Sequence, residues 1–164
     1  MSNPYTGVVA AALRKSALLA DIQAEGSLLS QAVDEARLLQ LRRAYQAFLA
    51  ELAFQLQLGS EPDSPAALAR LAQAQNKGSG EAGELLALLE DPDSWLSRLE
   101  SCWRGLWQFS SEPGDGRGAA KPVLIPARDL SRGSSEAPSG ELLNQWQAAL
   151  SEIIQRQRAH SAEW

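Results

Sequence analysis

The sequence predicts an all-α fold that resembles a four-helix bundle, with two short helices inserted and a long Gly/Pro/Ser-rich loop before the last helix. Three observations support this prediction. Apolar residues recur at three- and four-residue spacings along most of the chain, alternating β-branched segments are absent, and helix-capping signatures precede several apolar runs. Because 164 residues are enough for one sizeable core, we expect a single helical domain over residues 1–164.

The first two predicted helices cover roughly residues 4–25 and 27–58. Gly26 is expected to close the first helix, and Ser27 is expected to cap the second. The second helix carries apolar residues at alternating three- and four-residue spacing, which is typical of left-handed bundle packing. These seam residues are Leu38, Leu41, Tyr45, Phe48 and Leu52.

Two short helices are predicted near residues 65–75 and 80–90. The first opens with Ser64 before Pro65, a serine N-cap followed by proline at the first helical position. The two helices therefore connect the long second helix to a segment rich in tryptophan.

The tryptophan segment is predicted to be a helix that opens at Asp91–Pro92 and reaches about Phe109. At 100° per residue, its apolar residues fall within an arc of about 160°, which indicates one buried face. Two interpretations of the tryptophans remain open. They can all pack in the core, or Trp107 and Trp95 at the margins of the arc can line an exposed groove. The residues of the arc are Trp95, Leu96, Leu99, Cys102, Trp103, Leu106, Trp107 and Phe109.

Residues 110–138 are predicted to be a loop that is much longer than a usual connection. Within it, the apolar residues Val123, Leu124 and Ile125 lie between two prolines, which favours an extended conformation. We expect this apolar stretch to lie against the bundle while the rest of the loop is partly mobile. The last helix is predicted over residues 139–160, with its apolar residues within about 140°.

Composition excludes several kinds of function. The net charge is −5 and no third of the chain is basic, so we expect no nucleic-acid binding. A single histidine, His160, and a single cysteine, Cys102, leave no zinc spacing, no di-iron motif and no intramolecular disulfide. We therefore expect no metal, no cofactor and no catalytic residues. The glycine-rich stretch before Lys121 lacks the spacing of a phosphate-binding loop.

The N-terminus does not read as a secretory signal, because its basic pair Arg14–Lys15 follows the apolar run instead of preceding it. No stretch is long and apolar enough for a transmembrane helix. The sequence therefore predicts a cytoplasmic protein without a membrane partner.

The leading hypothesis is a non-enzymatic helical protein that binds another protein. The candidate partner-binding residues are Trp107, Phe109, Val123, Leu124 and Ile125. The alternative is a small-molecule-binding bundle or an unusual enzyme, with Tyr45 or Arg42 directed into a polar cavity between helices. A third hypothesis is a homo-oligomer formed through the seam of the second helix.

Four stretches resemble an uncharacterised family of small helical proteins found mainly in pseudomonads and their relatives. They are "YT" at residues 5–6, "DPDSWLSRL" at 91–99, "LIP" at 124–126 and "AEW" at 162–164. The resemblance covers almost the whole chain and implies a cytoplasmic bacterial protein. It supplies no catalytic residues, because no activity is assigned to that family.

Overall fold

The computed structural model describes residues 2–78, 80–109 and 138–162, and within these ranges every regular element is an α-helix. The all-α fold class is therefore confirmed for this part of the chain. None of these helices is sufficiently long and apolar to cross a lipid bilayer. The helices are α1 (Pro4–Ala20), α2 (Ser27–Gln55), α3 (Pro65–Ala74), α4 (Gly80–Glu90), α5 (Trp95–Gly105) and α6 (Gly140–Ala162).

The long helix α2 is the centre of the fold and contacts α1, α3, α5 and α6. Its predicted seam is buried, and each seam residue from Leu38 to Leu52 is no more than 3% exposed. Helix α6 runs parallel to α2, because Arg37 contacts Asn144 and Glu51 contacts Arg158 at equal spacing along both helices. The seam packs within the chain's own core, and the homo-oligomer hypothesis stays a prediction.

The buried apolar side chains form two adjoining clusters. The larger one combines residues of all six described helices, among them Phe48 of α2, Leu96 of α5 and Leu150 of α6. The smaller one joins α2, α5 and α6 through Leu99 and Trp146. Trp95 packs against both clusters, so α5 connects the two halves of the core.

The first two helices differ from the prediction at the turn between them. Helix α1 ends at Ala20, earlier than predicted, and the chain then turns before α2. Gly26 has a φ of 95° and is the N-cap residue of α2, while Ser27 is the first helical residue. The positive φ favours glycine, which is why the turn is completed there. The predicted cap at Ser27 is therefore wrong by one position.

Helix α2 ends at Gln55 because the backbone turns into the left-handed region at Gln57, whose φ is 52°. The N–H of Leu58 then donates to the carbonyl of Ala53 at 3.0 Å, which is the hydrogen bond of a Schellman motif. Leu58 is buried, so its side chain completes the motif.

Helix α5 is shorter than predicted at both ends. Its N-cap is Ser94, whose hydroxyl accepts a hydrogen bond from the N–H of Ser97, and not Asp91. Asp91 instead holds a turn, because its carboxylate accepts from the N–H of Asp93. The helix ends at Gly105, so the helical wheel does not extend to Trp107 and Phe109 as predicted.

Helix α6 agrees well with its prediction. Its first residue is Gly140, and the Ser139 hydroxyl accepts from the N–H of Leu142 at 3.3 Å. Leu143, Trp146 and Leu150 are buried as expected. The predicted loop, including Val123, Leu124 and Ile125, lies outside the described residues except for its last residue, Pro138, which is buried.

Candidate functional site

The strongest candidate for an interaction site is an aromatic surface at the C-terminal end of α5, formed by Trp103, Trp107 and Phe109. Trp107 is 62% exposed and Phe109 is 87% exposed, whereas Trp103 is half-buried. These exposures are high for side chains of this size, because burying one stabilises a protein by several kcal/mol.

The local backbone explains why these rings lie outside the core. The carbonyl of Cys102 accepts the N–H of Leu106, and two tight turns follow, from Arg104 to Trp107 and from Gly105 to Gln108. Leu106 still packs against the smaller core cluster, but the chain then leaves the helical path. The rings that follow Leu106 are therefore directed away from the core.

Two of the aromatic rings contact each other in an ordered geometry. The centroids of Trp103 and Trp107 are 5.6 Å apart and their planes meet at 75°, an edge-to-face arrangement. Aromatic pairs prefer this geometry, which contributes roughly 0.5–1.5 kcal/mol beyond area burial. Trp107 is therefore held in place by Trp103 although most of its surface is exposed.

Two of the five residues predicted from the sequence, Trp107 and Phe109, are exposed and lie two positions apart just after the end of α5. The other three, Val123, Leu124 and Ile125, are outside the described residues. Trp95, the other margin of the predicted arc, does not belong to the surface, because it is half-buried against the core. Trp103 was assigned to the buried arc, and its role in supporting Trp107 could not be predicted without the end of α5.

The polar residues named for the alternative function are engaged with other side chains in the structure. The Nε atom of Arg42 lies 2.8 Å from a carboxylate oxygen of Glu100, and both side chains are about one-fifth exposed. The guanidinium of Arg42 also lies over the ring of Tyr45, 5.3 Å from its centroid. Burial raises the pKa of Glu100 and also that of Tyr45. This cluster joins α2 to α5.

A second polar cluster was not anticipated from the sequence. Glu51 is only 1% exposed, and Arg158 donates to both of its carboxylate oxygens at 2.9 and 2.8 Å. The hydroxyl of Thr6 donates to the same carboxylate at 3.1 Å. Glu51 thus links α1, α2 and α6. No sequence signal separates Glu51 from an exposed residue, since Leu39 also adjoins the seam and is 46% exposed.

Cys102 has the surroundings of a structural residue. Its side chain is partly buried against the smaller core cluster, and burial raises the pKa of its thiol. A raised pKa lowers the fraction of reactive thiolate at neutral pH. In the part of the chain that the structure describes, no group of three or more histidine, cysteine, aspartate or glutamate residues is arranged to hold a metal ion.

One basic residue near the C-terminus contacts one acidic residue of α4. Arg156 forms an ion pair with Glu84, which joins α6 to α4. His160 is exposed near the end of α6.

A family of unknown function, DUF6586, matches residues 11–164. The chain belongs to this family. The match includes α5, α6 and the aromatic surface, so these features lie within the DUF6586 region. No curated protein and no solved structure matches the chain.

Proposed function

We propose that this DUF6586 protein acts without catalysis, by binding another protein through the aromatic surface of Trp103, Trp107 and Phe109. The observation that supports this function is the 62% exposure of Trp107 while its ring is held edge-to-face by Trp103. A large exposed ring in a fixed position can enter a partner's pocket with little loss of side-chain entropy.

The composition of the surface indicates the chemistry of the partner. The rings offer apolar area, and the exposed Arg104 lies in the turn between Trp103 and Trp107. The complementary surface is an apolar pocket or helix face with a carboxylate at its edge. Tryptophan and arginine are the residue types most often found at the centre of such interfaces.

The proposal is tested by measuring partner capture with single substitutions. The full-length protein is expressed in its native host at endogenous level, and the co-purifying proteins are quantified for the wild type, Trp107→Ala and Phe109→Ala. We expect Trp107→Ala to lower capture of a specific partner at least tenfold, because central aromatic residues of interfaces contribute about 2 kcal/mol or more.

The matched control is Leu28→Ala, which removes an apolar side chain that is 78% exposed elsewhere on the molecule. It should leave capture of the same partner unchanged. A second variant lacking residues 110–138 asks whether Val123, Leu124 and Ile125 belong to the same site. If every partner is retained by Trp107→Ala at wild-type level, the aromatic surface is not the binding site.

The alternative function, a small-molecule site or an unusual active site between helices, requires polar side chains free to meet a ligand. The ion pair between Arg42 and Glu100 and the position of Arg42 over Tyr45 argue against this cluster as such a site. Protein binding is therefore the function that we favour.

We also propose that the protein works in the bacterial cytoplasm. The support is its sequence resemblance to proteins of pseudomonads. Cell fractionation with detection of the native chain tests this location. Recovery in the periplasmic or membrane fraction would contradict it.

A further inference from the structure

A cleft lies at the junction between the start of α1 and the end of α2. It has a volume of about 720 Å³ and is formed by the N-cap of α1, the last residues of α2 and the turn that follows α2. We call this space the terminal cleft. Its wall consists of Asn3, Phe54, Gln55, Gln57 and Gly59.

The wall of the terminal cleft combines an aromatic ring with amide side chains. Phe54 is 37% exposed, and its ring lies edge-to-face with that of Tyr5, with the centroids 6.3 Å apart. The hydroxyl of Tyr5 donates a hydrogen bond to Glu61, which holds the aromatic pair in place. Gln57 is exposed, and the oxygen of its amide can accept a hydrogen bond. The cleft therefore suits an occupant that has a large apolar ring and one hydrogen-bond donor.

The alignment of α6 with α2 is fixed by two polar contacts. Arg37 donates a hydrogen bond to Asn144, and Arg158 donates to Glu51. Both pairs are separated by the same 107 positions, although they lie almost at opposite ends of the two helices. The two helices therefore keep one alignment along their shared length.

This alignment brings the end of α6 to the terminal cleft. The same offset places Ala162, the last residue of α6, beside Gln55 in the wall of the cleft. Gln55 lies on the side of α2 that faces α6, because it follows Arg37 by five full turns at 3.6 residues per turn. On this side Glu51 is 1% exposed, whereas Gln55, one turn later, is exposed. The interface between α2 and α6 is thus open at the level where α6 ends.

We propose that Trp164, two residues beyond the end of α6, docks its indole in the terminal cleft against Phe54. Two residues span at most about 7 Å, and the axes of packed helices lie about 8–10 Å apart, so the chain after Ala162 stays close to the cleft. Of the two residues that follow Ala162, only Trp164 has a large apolar side chain.

The indole matches the chemistry of the cleft. Its apolar body covers the exposed part of Phe54 and extends the aromatic row that begins at Tyr5. Its N–H needs an acceptor when it is buried, and the amide oxygen of Gln57 supplies one. The docked ring fixes the end of α6 on α1 and α2.

The first experiment follows the tryptophan rings by fluorine NMR on the full chain labelled with 5-fluorotryptophan. The chain has five tryptophans, and Trp164→Phe identifies the signal of Trp164. We expect this signal to be shifted from that of free fluorotryptophan. Phe54→Ala should move it toward the free value, because the docked ring loses its neighbour.

The matched control is Leu39→Ala, which removes an apolar side chain of similar exposure, 46%, from the same helix. Leu39 lies about 22 Å from Phe54 along α2, so the Trp164 signal should not move. A wild-type Trp164 signal at the position of free fluorotryptophan overturns the proposal.

The second experiment measures proximity with a nitroxide spin label in a Cys102→Ser background. A label at Ser60→Cys, next to Gly59 of the cleft wall, should broaden the Trp164 signal strongly. A label at Gln31→Cys is the control, because this exposed position lies about 36 Å from Gln55 along α2. Equal broadening by the two labels refutes docking in the terminal cleft.

The third experiment asks whose tail occupies the cleft. Fluorinated chains without a label are mixed with Ser60→Cys chains that carry the label and no fluorine. If each chain holds its own Trp164, this mixture shows no broadening. Broadening in the mixture means that the cleft holds Trp164 of a second copy, which overturns docking within one chain.

The inference does not rest on the proposed protein-binding function. Trp107→Ala should abolish partner capture and leave the position and broadening of the Trp164 signal unchanged.

Discussion

Replacing Arg158 by methionine should strongly destabilise the protein, because it leaves the carboxylate of Glu51 buried without its cation. Glu51 is 1% exposed and accepts two hydrogen bonds from Arg158 at 2.9 and 2.8 Å. Breaking a buried ion pair from one side costs about 3–5 kcal/mol. The hydroxyl of Thr6 remains as a donor, and Arg158 is itself about one-third exposed, so we expect about 3 kcal/mol.

The matched control is Arg156→Met, the same substitution two residues earlier on the same helix. Arg156 pairs with Glu84, and these side chains are 46% and 38% exposed. Exposed ion pairs contribute about 0–1 kcal/mol, because water already solvates both charges. Both variants lose one positive charge and keep the hydrocarbon part of the side chain. The difference between their free energies of unfolding therefore isolates the effect of burying the ion pair.

The assay is urea unfolding near pH 7, followed by circular dichroism and tryptophan fluorescence. In a thermal melt of a chain of this length, a loss of about 3 kcal/mol corresponds to a fall of about 6–12 °C in the melting temperature. Adding Glu51→Leu to Arg158→Met should recover part of the loss, because the buried charge is then gone. Equal costs for Arg158→Met and Arg156→Met, within about 0.5 kcal/mol, would refute the assignment of Glu51 as a buried charge held by Arg158.

Three further predictions follow from burial. Trp146→Ala should cost about 3–5 kcal/mol in urea unfolding because Trp146 is 2% exposed, whereas Trp107→Ala should cost only about 0.5–1.5 kcal/mol through the lost contact with Trp103; equal costs would contradict the difference in burial. Arg42→Met should destabilise the protein more near pH 7 than near pH 4. Burial raises the pKa of Glu100 above its unfolded value even beside Arg42, so removing that cation disfavours the carboxylate further. In the Arg42→Met variant the folded state favours the protonated Glu100 carboxyl, and this contribution to stability is lost as pH rises through the folded-state pKa. A destabilisation by Arg42→Met that does not change with pH would refute the ion pair between Arg42 and Glu100. Cys102 should react with iodoacetamide near pH 8 at least tenfold more slowly in the native than in the urea-unfolded chain, because burial raises the pKa of its thiol; equal rates would exclude that burial.

The helical periodicity of the sequence predicted the central buried seam of α2 and several core residues of α6. Leu38, Leu41 and Tyr45 are buried as their spacing predicted, and so are Trp146 and Leu150 on α6. This works because an amphipathic helix must bury its apolar stripe wherever its partners lie. The starts of α3 at Pro65 and of α4 at Gly80 were also predicted, because a helix start depends on capping residues within a few positions of it.

Helix ends were predicted less well, because tertiary contacts decide them. The apolar spacing continues past Gly105, yet α5 stops there and its last aromatic residues turn away from the core. The sequence placed Trp107 and Phe109 at the margins of a buried arc and identified them as residues whose exposure would matter. Only the end of the helix could decide that both rings are exposed and that Trp103 supports Trp107.

The sequence by itself determined the all-α fold class and the apolar seams that form the core. These properties depend on composition and on spacing along one helix. The tertiary structure decided which charges are buried, as for Glu51 with Arg158, and which apolar side chains are left exposed, as for Leu18 and Leu39. The reason is that both depend on distances between helices that are remote in sequence, and those distances are set by packing of the whole chain.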